Sequence, residues 1–231
     1  MNNEEEFRRL FTEFEKETKK KISNKKLDLS TCIEILKKNR VSPYYNEYDF
    51  ISFCRWCRNR ISHVNDNEKY LIYTDELINR LKEVIDVVKH PYTIYEKAIK
   101  EVSSANINDN VKKIMRDIQE KRFTHIPIYD NNKSLVGIFS EGSLFNYLLK
   151  ETNITIDENT TFNDIKDCIN INNSKELIMF VSKDKLYDEI TNKFIVEYQK
   201  GERLSCVMIT EQGSNKEEVK GILTSWDIIG N

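Results

Sequence analysis

An arginine, an asparagine and a histidine stand close together in the stretch CRWCRNRISH, which covers residues 54–63. Histidine can take up or release a proton near neutral pH, and arginine presents a fixed planar cation that matches phosphate oxygens. Arg58 and His63 could therefore combine proton transfer with stabilisation of a negative charge at a common point outside the helix. Asn59 could hold the guanidinium or the phosphate in place. The same three residues could equally form a solvated polar face, so their spacing alone leaves both interpretations open.

The sequence around these residues predicts an amphipathic helix over about residues 47–64. A rotation of about 100° per residue places Asn59 opposite the apolar positions, with Arg58 and His63 on the two flanks of the polar face. The apolar stripe of this helix consists of residues three or four positions apart, namely Phe50, Phe53, Cys54, Cys57, Ile61 and Val64.

Cys54 and Cys57 form a Cys-x-x-Cys pair within that stripe. Zinc sites need about four ligands, and neither a second cysteine pair nor another ligand set follows nearby. We therefore interpret both cysteines as residues of the hydrophobic core and predict no metal site.

Three further amphipathic helices are predicted in the first 90 residues. One covers residues 4–22, after an acidic first turn. A short helix begins with a capping box of Thr31 and Glu34, and the last begins at Thr74, which is a suitable N-cap. Four helices in about 90 residues predict an all-α antiparallel bundle over residues 1–90.

Residues 91–231 show a different pattern, in which short apolar runs alternate with helical segments. The order of elements occurs twice, which predicts an internal β-α-β-β-α duplication and an α+β fold. The first repeat covers residues 93–151 and the second covers residues 156–231. Strands are predicted at residues 123–130, 135–139, 177–181, 205–210 and 219–223, and helices at residues 111–118, 144–150, 187–200 and from residue 224 onwards.

The composition limits the classes of function. The 36 basic and 38 acidic residues leave a formal net charge of −2, which by itself does not indicate a nucleic-acid-binding protein. No run of about 18 apolar residues and no basic-then-apolar leader occurs, so no membrane segment is predicted. Five scattered cysteines are typical of a reducing compartment, and we therefore expect a cytoplasmic protein.

The spacing of Arg58, Asn59 and His63 resembles the R-[polar]-x3–5-H motif of HEPN domains. These are small helical bundles, many of which are metal-independent ribonucleases that act as dimers. In that family two copies of the motif helix face each other across a twofold axis, so that an arginine and a histidine from each chain line one RNA cleft. The resemblance implies a homodimer with Arg58, Asn59 and His63 as catalytic residues and RNA as the substrate. Many HEPN domains are instead inactive adaptors, which is the alternative.

The two repeats resemble a tandem pair of CBS (cystathionine β-synthase) domains. The sequence HIPIYD at residues 125–130 is similar to the family's strand pattern h-x-P-V-h-D. The sequences GIFS at residues 137–140 and GILTSWD at residues 221–227 are similar to its strand-to-helix turn, G-h-x-[T/S]-x-x-D. Such pairs typically bind adenine nucleotides, and sometimes adenosylmethionine or a dinucleotide messenger, in clefts between the repeats. The resemblance therefore implies a regulatory adenine nucleotide, such as AMP, ADP or ATP.

The turn of the second repeat keeps both parts of a nucleotide site. A threonine hydroxyl and backbone N–H groups at a helix N-terminus can bind phosphate, and an aspartate one turn later can accept both ribose hydroxyls. Thr224 and Asp227 supply these groups, with Ile222 beside them. The resemblance implies that Phe123 and Thr124 form the wall that faces the adenine. Alternatively, Asp227 simply caps the final helix.

The first repeat departs from the family pattern at the same turn. Ser140 supplies the hydroxyl, but Ser143 stands where the ribose-binding aspartate belongs. We therefore predict one main nucleotide site, at Thr224 and Asp227, and keep Ser140 as a further candidate binding residue.

Together these patterns predict a multidomain protein, with an all-α HEPN-like helical bundle followed by an α+β tandem CBS pair. The leading hypothesis is a nucleotide-regulated, metal-independent endoribonuclease whose dimeric active site is controlled by a nucleotide at Thr224 and Asp227. The alternative is a non-catalytic nucleotide sensor whose helical bundle mediates dimerisation or binds a protein partner.

Overall fold

The computed structural model describes residues 2–63, 72–121, 123–150, 156–173 and 176–229. The chain forms two compact units, Met1–Tyr92 and Thr93–Asn231, and each has a hydrophobic core of its own. Val64, the last position of the predicted apolar stripe, lies outside the described residues. Within the described ranges, every helix is too short or too polar to span a lipid bilayer.

The first unit contains the helices α1 (Asn3–Lys20), α2 (Leu29–Lys38), α3 (Tyr48–His63) and α4 (Asp75–Lys89). A capping box starts α1, because the Asn2 side chain accepts the Glu5 N–H and the Glu5 carboxylate accepts the Asn2 N–H. The helix α4 begins after Thr74, as predicted, with the threonine hydroxyl accepting the Leu77 N–H at 3.2 Å. The apolar faces of these helices enclose one core, whose fully buried side chains include Phe7, Phe14, Ile33, Tyr44, Ile51 and Leu81.

The start of α2 differs from the prediction. Asp28, rather than Thr31, is the N-cap, and its carboxylate accepts both the N–H and the hydroxyl of Thr31 at 2.9 and 2.8 Å. The predicted capping box of Thr31 and Glu34 is therefore wrong, because an aspartate one turn earlier already satisfies the helix N-terminus. Glu34 instead accepts a hydrogen bond from the Tyr48 hydroxyl at 2.5 Å.

The apolar stripe of α3 is only partly buried. Cys54 and Cys57 are each 1% exposed and pack in the core, as predicted. Phe53, which the sequence placed in the same stripe, is 47% exposed, and its ring lies 6.2 Å from that of the equally exposed Trp56. The prediction for Phe53 was wrong because it lies about 100° around the helix from Cys54, beyond the face that the core covers.

The second unit contains two copies of one arrangement of elements. After α5 (Ile94–Lys97), the first copy consists of β1 (Ala105–Asn106), α6 (Val111–Lys121), β2 (His125–Tyr129), β3 (Leu135–Ser140) and α7 (Glu141–Lys150). After α8 (Lys166–Ile169) and a 3-10 turn (Ile171–Asn173), the second copy consists of β4 (Leu177–Ser182), α9 (Tyr187–Gln199), β5 (Leu204–Thr210), β6 (Gly221–Thr224) and α10 (Ser225–Ile229).

Each copy forms a three-stranded sheet with the same topology. The strands β1 and β2 are parallel and β2 and β3 are antiparallel, and the order β4-β5-β6 repeats this pattern. The predicted β-α-β-β-α duplication is therefore present in the fold. The strand β1 was missed because its two residues are too few to show an alternating pattern.

The two repeats are interlocked through backbone and side-chain contacts. Ile99, which precedes β1, exchanges two backbone hydrogen bonds with Ile222 of β6, at 3.1 and 3.0 Å. The Tyr129 hydroxyl at the end of β2 accepts the Val219 N–H at 3.0 Å. One shared core cluster combines Ile138 of the first repeat with residues of the second, namely Cys206, Met208, Val219 and Ile222.

Candidate functional site

A cavity of about 430 Å³ lies within the second unit, where three segments of the chain meet. One wall is formed by Ile99, Glu101, Val102 and Ser103 of the segment 99–103, and a second by Phe123, Thr124 and His125 just before and at the start of β2. The third wall is the turn from β6 into α10, which contributes Ile222, Thr224, Trp226 and Asp227. This volume is in the range of pockets that hold small organic ligands.

The turn at the end of β6 fixes the carboxylate of Asp227 against the cavity. The N–H and the hydroxyl of Thr224 donate to Oδ2 of Asp227, at 2.6 and 2.8 Å. Thr224 ends the strand and Asp227 lies in the first turn of α10, so the bond from the Thr224 N–H to the Asp227 carboxylate is the half of a capping box in which the third helical residue reaches back. Asp227 can therefore take part in the start of α10 and line the cavity at the same time.

The opposite wall contains a buried histidine. The side chain of His125 is 9% exposed, and its Nδ1 lies 2.9 Å from the Thr124 hydroxyl. Burial lowers the pKa of His125; the Glu176 carboxylate opposes this effect and the Arg203 guanidinium adds to it. The imidazole is therefore neutral near pH 7, and this wall carries no charge of its own.

The segment 99–103 was not predicted as part of the site. It is held in place by the backbone bonds between Ile99 and Ile222, which bring Glu101 and Val102 to the cavity. Its residues show neither helical nor strand periodicity, so no sequence pattern could have indicated their position. Trp226 was also missed; it is 70% exposed and lies inside the very turn that carries the CBS-like pattern.

Most of the predicted binding residues come together at the cavity, namely Phe123, Thr124, Ile222, Thr224 and Asp227. Ser140 is elsewhere. It ends β3 in the other sheet, is 2% exposed, and donates its hydroxyl to the Glu176 carboxylate at 2.7 Å. Among the lining residues in the described part of the chain, Glu101 and Asp227 carry formal charges and no lysine or arginine occurs.

The predicted catalytic motif lies at the C-terminal end of α3. Arg58 and Asn59 are exposed and line a crevice of about 210 Å³ together with Arg55, Glu15 and Asp28. His63 is the last residue of α3, and its side chain lies outside the described part of the structure. The structure thus brings Arg58 and Asn59 to one crevice, while the position of the imidazole stays a prediction.

The cysteines of α3 are sequestered. Burial raises the pKa of Cys54 to about 12 and also raises the pKa of Cys57, so both remain protonated thiols near neutral pH. No cluster of three or more histidine, cysteine, aspartate or glutamate side chains suited to a metal ion occurs among the residues that the structure describes.

Comparisons with known proteins support the interpretation of the repeats. Residues 84–150 match the family model of the CBS domain. No curated protein matches the chain in sequence. Because the topology of the first repeat recurs in the second, the second unit is a CBS-type α+β pair. The match does not include the motif at residues 58–63, so the HEPN resemblance of the helical bundle stays a prediction.

Several solved structures are similar to the chain at low sequence identity. The CBS domain pair of protein MJ0100, in complex with 5′-methylthioadenosine and S-adenosyl-L-methionine, is 20% identical, with a TM-score of 0.44 over 61% of this chain and 94% of its own. An uncharacterized conserved protein from Pyrococcus horikoshii is 13% identical, with a TM-score of 0.44 over 61% of this chain and 91% of its own. The CBS-domain containing protein ATU1752 from Agrobacterium tumefaciens is 11% identical, with a TM-score of 0.41 over 57% and 84% of the two chains.

Proposed function

We propose that residues 93–231 bind a small adenosine-containing ligand in the 430 Å³ cavity and that this ligand regulates the protein. The observation that carries the proposal is the meeting of a hydroxyl, a carboxylate and an aromatic ring around one small-molecule-sized space. Thr224, Asp227 and Phe123 supply these groups from two different repeats. A ligand that contacts both repeats can favour one arrangement of the pair over another, which is what regulation requires.

Each part of an adenosine has a chemically suitable wall. The Asp227 carboxylate can accept hydrogen bonds from ribose hydroxyls, since an ionised carboxylate only accepts. Phe123 and Ile222 offer apolar surface to the two faces of a purine ring. Trp226 is 70% exposed beside the cavity and can cover the bound base.

The charge of the lining favours ligands with few phosphate groups. Glu101 and Asp227 both line the cavity, and two carboxylates repel a triphosphate more strongly than a monophosphate. We therefore expect adenosine or AMP to bind more tightly than ATP.

Tryptophan fluorescence gives a direct test. The chain contains two tryptophans, so a Trp56→Phe variant leaves Trp226, beside the cavity, as the only indole reporter. Titration with adenosine, AMP, ATP and S-adenosylmethionine should change its emission in a saturable way. Isothermal titration calorimetry should give the same affinities for the wild-type protein.

An Asp227→Asn variant tests whether the ligand binds at the Asp227 carboxylate. Loss of a charged acceptor for ribose should weaken binding about tenfold or more. Asp184→Asn is the matched control, because Asp184 lies in an exposed turn that does not line the cavity. Equal affinities for all three proteins, or no binding of any of the four ligands to the wild-type protein, would refute the proposal.

We further propose, as a second candidate function, that the helical bundle is a dimeric, metal-independent endoribonuclease under the control of this ligand. Two observations favour it. Arg58 and Asn59 are exposed in one crevice with Arg55, and the two guanidinium groups can bind phosphate oxygens although Glu15 and Asp28 also line it. The exposed rings of Phe53 and Trp56 on the same helix offer an apolar surface for a helix of a second copy.

Cleavage assays test the second candidate. Wild-type protein should cut RNA in the presence of EDTA, and His63→Ala or Arg58→Ala should lower the rate by about a hundredfold or more. His90→Ala is the matched control, because His90 is an exposed histidine outside the motif. If the wild-type protein never cuts RNA, with or without AMP, the bundle acts as a non-catalytic adaptor that dimerises or binds a partner.

A further inference from the structure

Four exposed residues of α3 form one stripe along the side of the helix, which we call the outer stripe. They follow one another at intervals of four, three and four residues, namely Asp49, Phe53, Trp56 and Arg60. At about 100° and 1.5 Å per residue, this spacing keeps all four within an arc of about 60° over a length of about 17 Å. An acidic residue begins the outer stripe, two aromatic residues form its middle, and a basic residue ends it.

The two rings in the middle of the outer stripe lie against each other outside the core. Phe53 and Trp56 are each 47% exposed, their ring centroids are 6.2 Å apart, and their planes are inclined by 21°. The Arg60 guanidinium lies over the Trp56 ring, 5.5 Å from its centroid. Aromatic and arginine side chains in such exposed groups are typical of the centres of protein interfaces.

The two ends of the outer stripe carry charges that are not paired within the described part of the chain. Asp49 and Arg60 have no ion-pair partner there, whereas the neighbouring residues Glu47 and Arg80 pair with each other at 2.7 Å. Asp49 and Phe53 also line a crevice of about 400 Å³ between α3 and α4. The outer stripe therefore offers a partner two opposite charges and an adjacent space for a side chain.

The outer stripe has the same spacing in both directions along the helix. Its intervals of four, three and four residues are unchanged when the direction is reversed. If two copies of α3 lie antiparallel with a twofold axis between residues 54 and 55, Asp49 of each copy faces Arg60 of the other, and Phe53 faces Trp56. Opposite charges then meet at both ends and aromatic rings meet in the middle. The outer stripe is thus complementary to a second copy of itself.

From this self-complementarity we propose that two copies of the chain associate through antiparallel contact of their α3 helices along the outer stripe. The proposal rests on the second candidate function only for the existence of a dimer, and it requires neither RNA cleavage nor a bound ligand. Arg58 lies about 200° around the helix from Trp56, so it is on the other side of α3 and outside the contact. The contact therefore differs from the shared cleft that the HEPN resemblance implies.

Charge reversal tests the proposal in sedimentation velocity measurements on the full chain, without RNA or nucleotide. Wild-type protein should form dimers, and Arg60→Asp or Asp49→Arg should each raise the dissociation constant more than about tenfold, because like charges then face each other. An equimolar mixture of the two variants should restore the dimer, since every facing pair in the mixed dimer again has opposite charges. Lys16→Asp, which reverses an exposed charge on α1, is the matched control and should have no effect.

The remaining outcomes are equally decisive. A monomeric wild-type protein, a dimer that neither charge reversal weakens, or a mixture that does not recover the dimer would overturn the proposal. Should a charge-reversal variant fail to fold, as near-ultraviolet circular dichroism would show, Trp56→Ala decides, because loss of the central ring should weaken the dimer more than about tenfold. A dimer that none of these changes affects uses another surface. The second candidate function then still depends on the cleavage assay with His63→Ala.

Discussion

Ile99 and Ile222 exchange two backbone hydrogen bonds, although one precedes the first strand of the first repeat and the other lies in the last strand of the second. This pairing extends the edge of β6 by a short segment and thereby positions residues 99–103 as a wall of the cavity. The site at Thr224 is consequently assembled by both repeats.

Filling the cavity from the segment 99–103 should block the ligand without touching Thr224 or Asp227. In Ser103→Trp an indole would project from a lining position, so AMP affinity should fall more than about tenfold in calorimetric titration. Ser104→Trp is the matched control, because Ser104 is exposed and does not line the cavity. Equal loss of affinity in both variants would mean that the indole acts by disturbing the segment rather than by filling the space.

The close approach of β3 to the last residue of α8 should make a side chain at Gly137 destabilising. A Cβ at Gly137 would lie 2.2 Å from the backbone oxygen of Ile169, so Gly137→Ala should lower the free energy of unfolding by about 1–3 kcal/mol. The matched variant is Gly221→Ala at the corresponding position of β6, where the nearest atoms would be 3.4 Å away. Urea denaturation should show a clearly smaller effect for Gly221→Ala, and equal effects would contradict the argument.

The buried imidazole of His125 should make stability depend on pH. Because burial lowers the pKa of His125 from its ordinary 6.5, the unfolded chain takes up a proton before the folded one as the pH falls. The free energy of unfolding should therefore decrease as the pH falls through 6.5, and level off below the folded-state pKa. Glu176, Arg203 and Glu141 act on the same imidazole and set how far below 6.5 that plateau begins.

A His125→Gln variant should reduce this slope, measured by urea unfolding between about pH 5 and pH 7.5. His90→Gln serves as the control, since the side chain of His90 is 75% exposed. A slope that His125→Gln leaves unchanged would assign the pH dependence to other groups.

Removing the cap of α2 should destabilise the helical bundle. Asp28→Ala deletes the carboxylate that accepts both the N–H and the hydroxyl of Thr31, and it should cost about 1 kcal/mol of unfolding free energy. Thr31→Val removes only the hydroxyl bond, so thermal unfolding should show a smaller loss. A larger loss of stability for Thr31→Val than for Asp28→Ala would instead identify Thr31 as the residue that caps α2.

The sequence indicated most elements of the fold because their signals are local. Helical periodicity located α1, α3 and α4 to within a few residues, and alternating apolar runs located the strands of residues 125–140. The exposed Phe53 shows the limit of this approach, since a stripe read from one helix does not reveal how wide a face its neighbours cover.

Local sequence patterns likewise identify some residues of the candidate site and miss others. Thr224 and Asp227 are three residues apart in one turn, so a short pattern could identify them. Glu101 reaches the cavity only because Ile99 bonds to a distant strand, and Glu176 reaches Ser140 from another repeat. Neither segment has a periodicity of its own, and contacts of this kind are set by tertiary packing.

The pairing of Ile99 with Ile222 also limits the positions at which recombination can divide the gene. A gene fragment that encodes a single repeat would yield a sheet with an unpaired edge and half of a cavity. We therefore expect evolution to retain the two repeats together. Recombination that exchanges the helical part for another module should then leave viable products when the junction falls near Tyr92, and defective ones when it falls between the repeats.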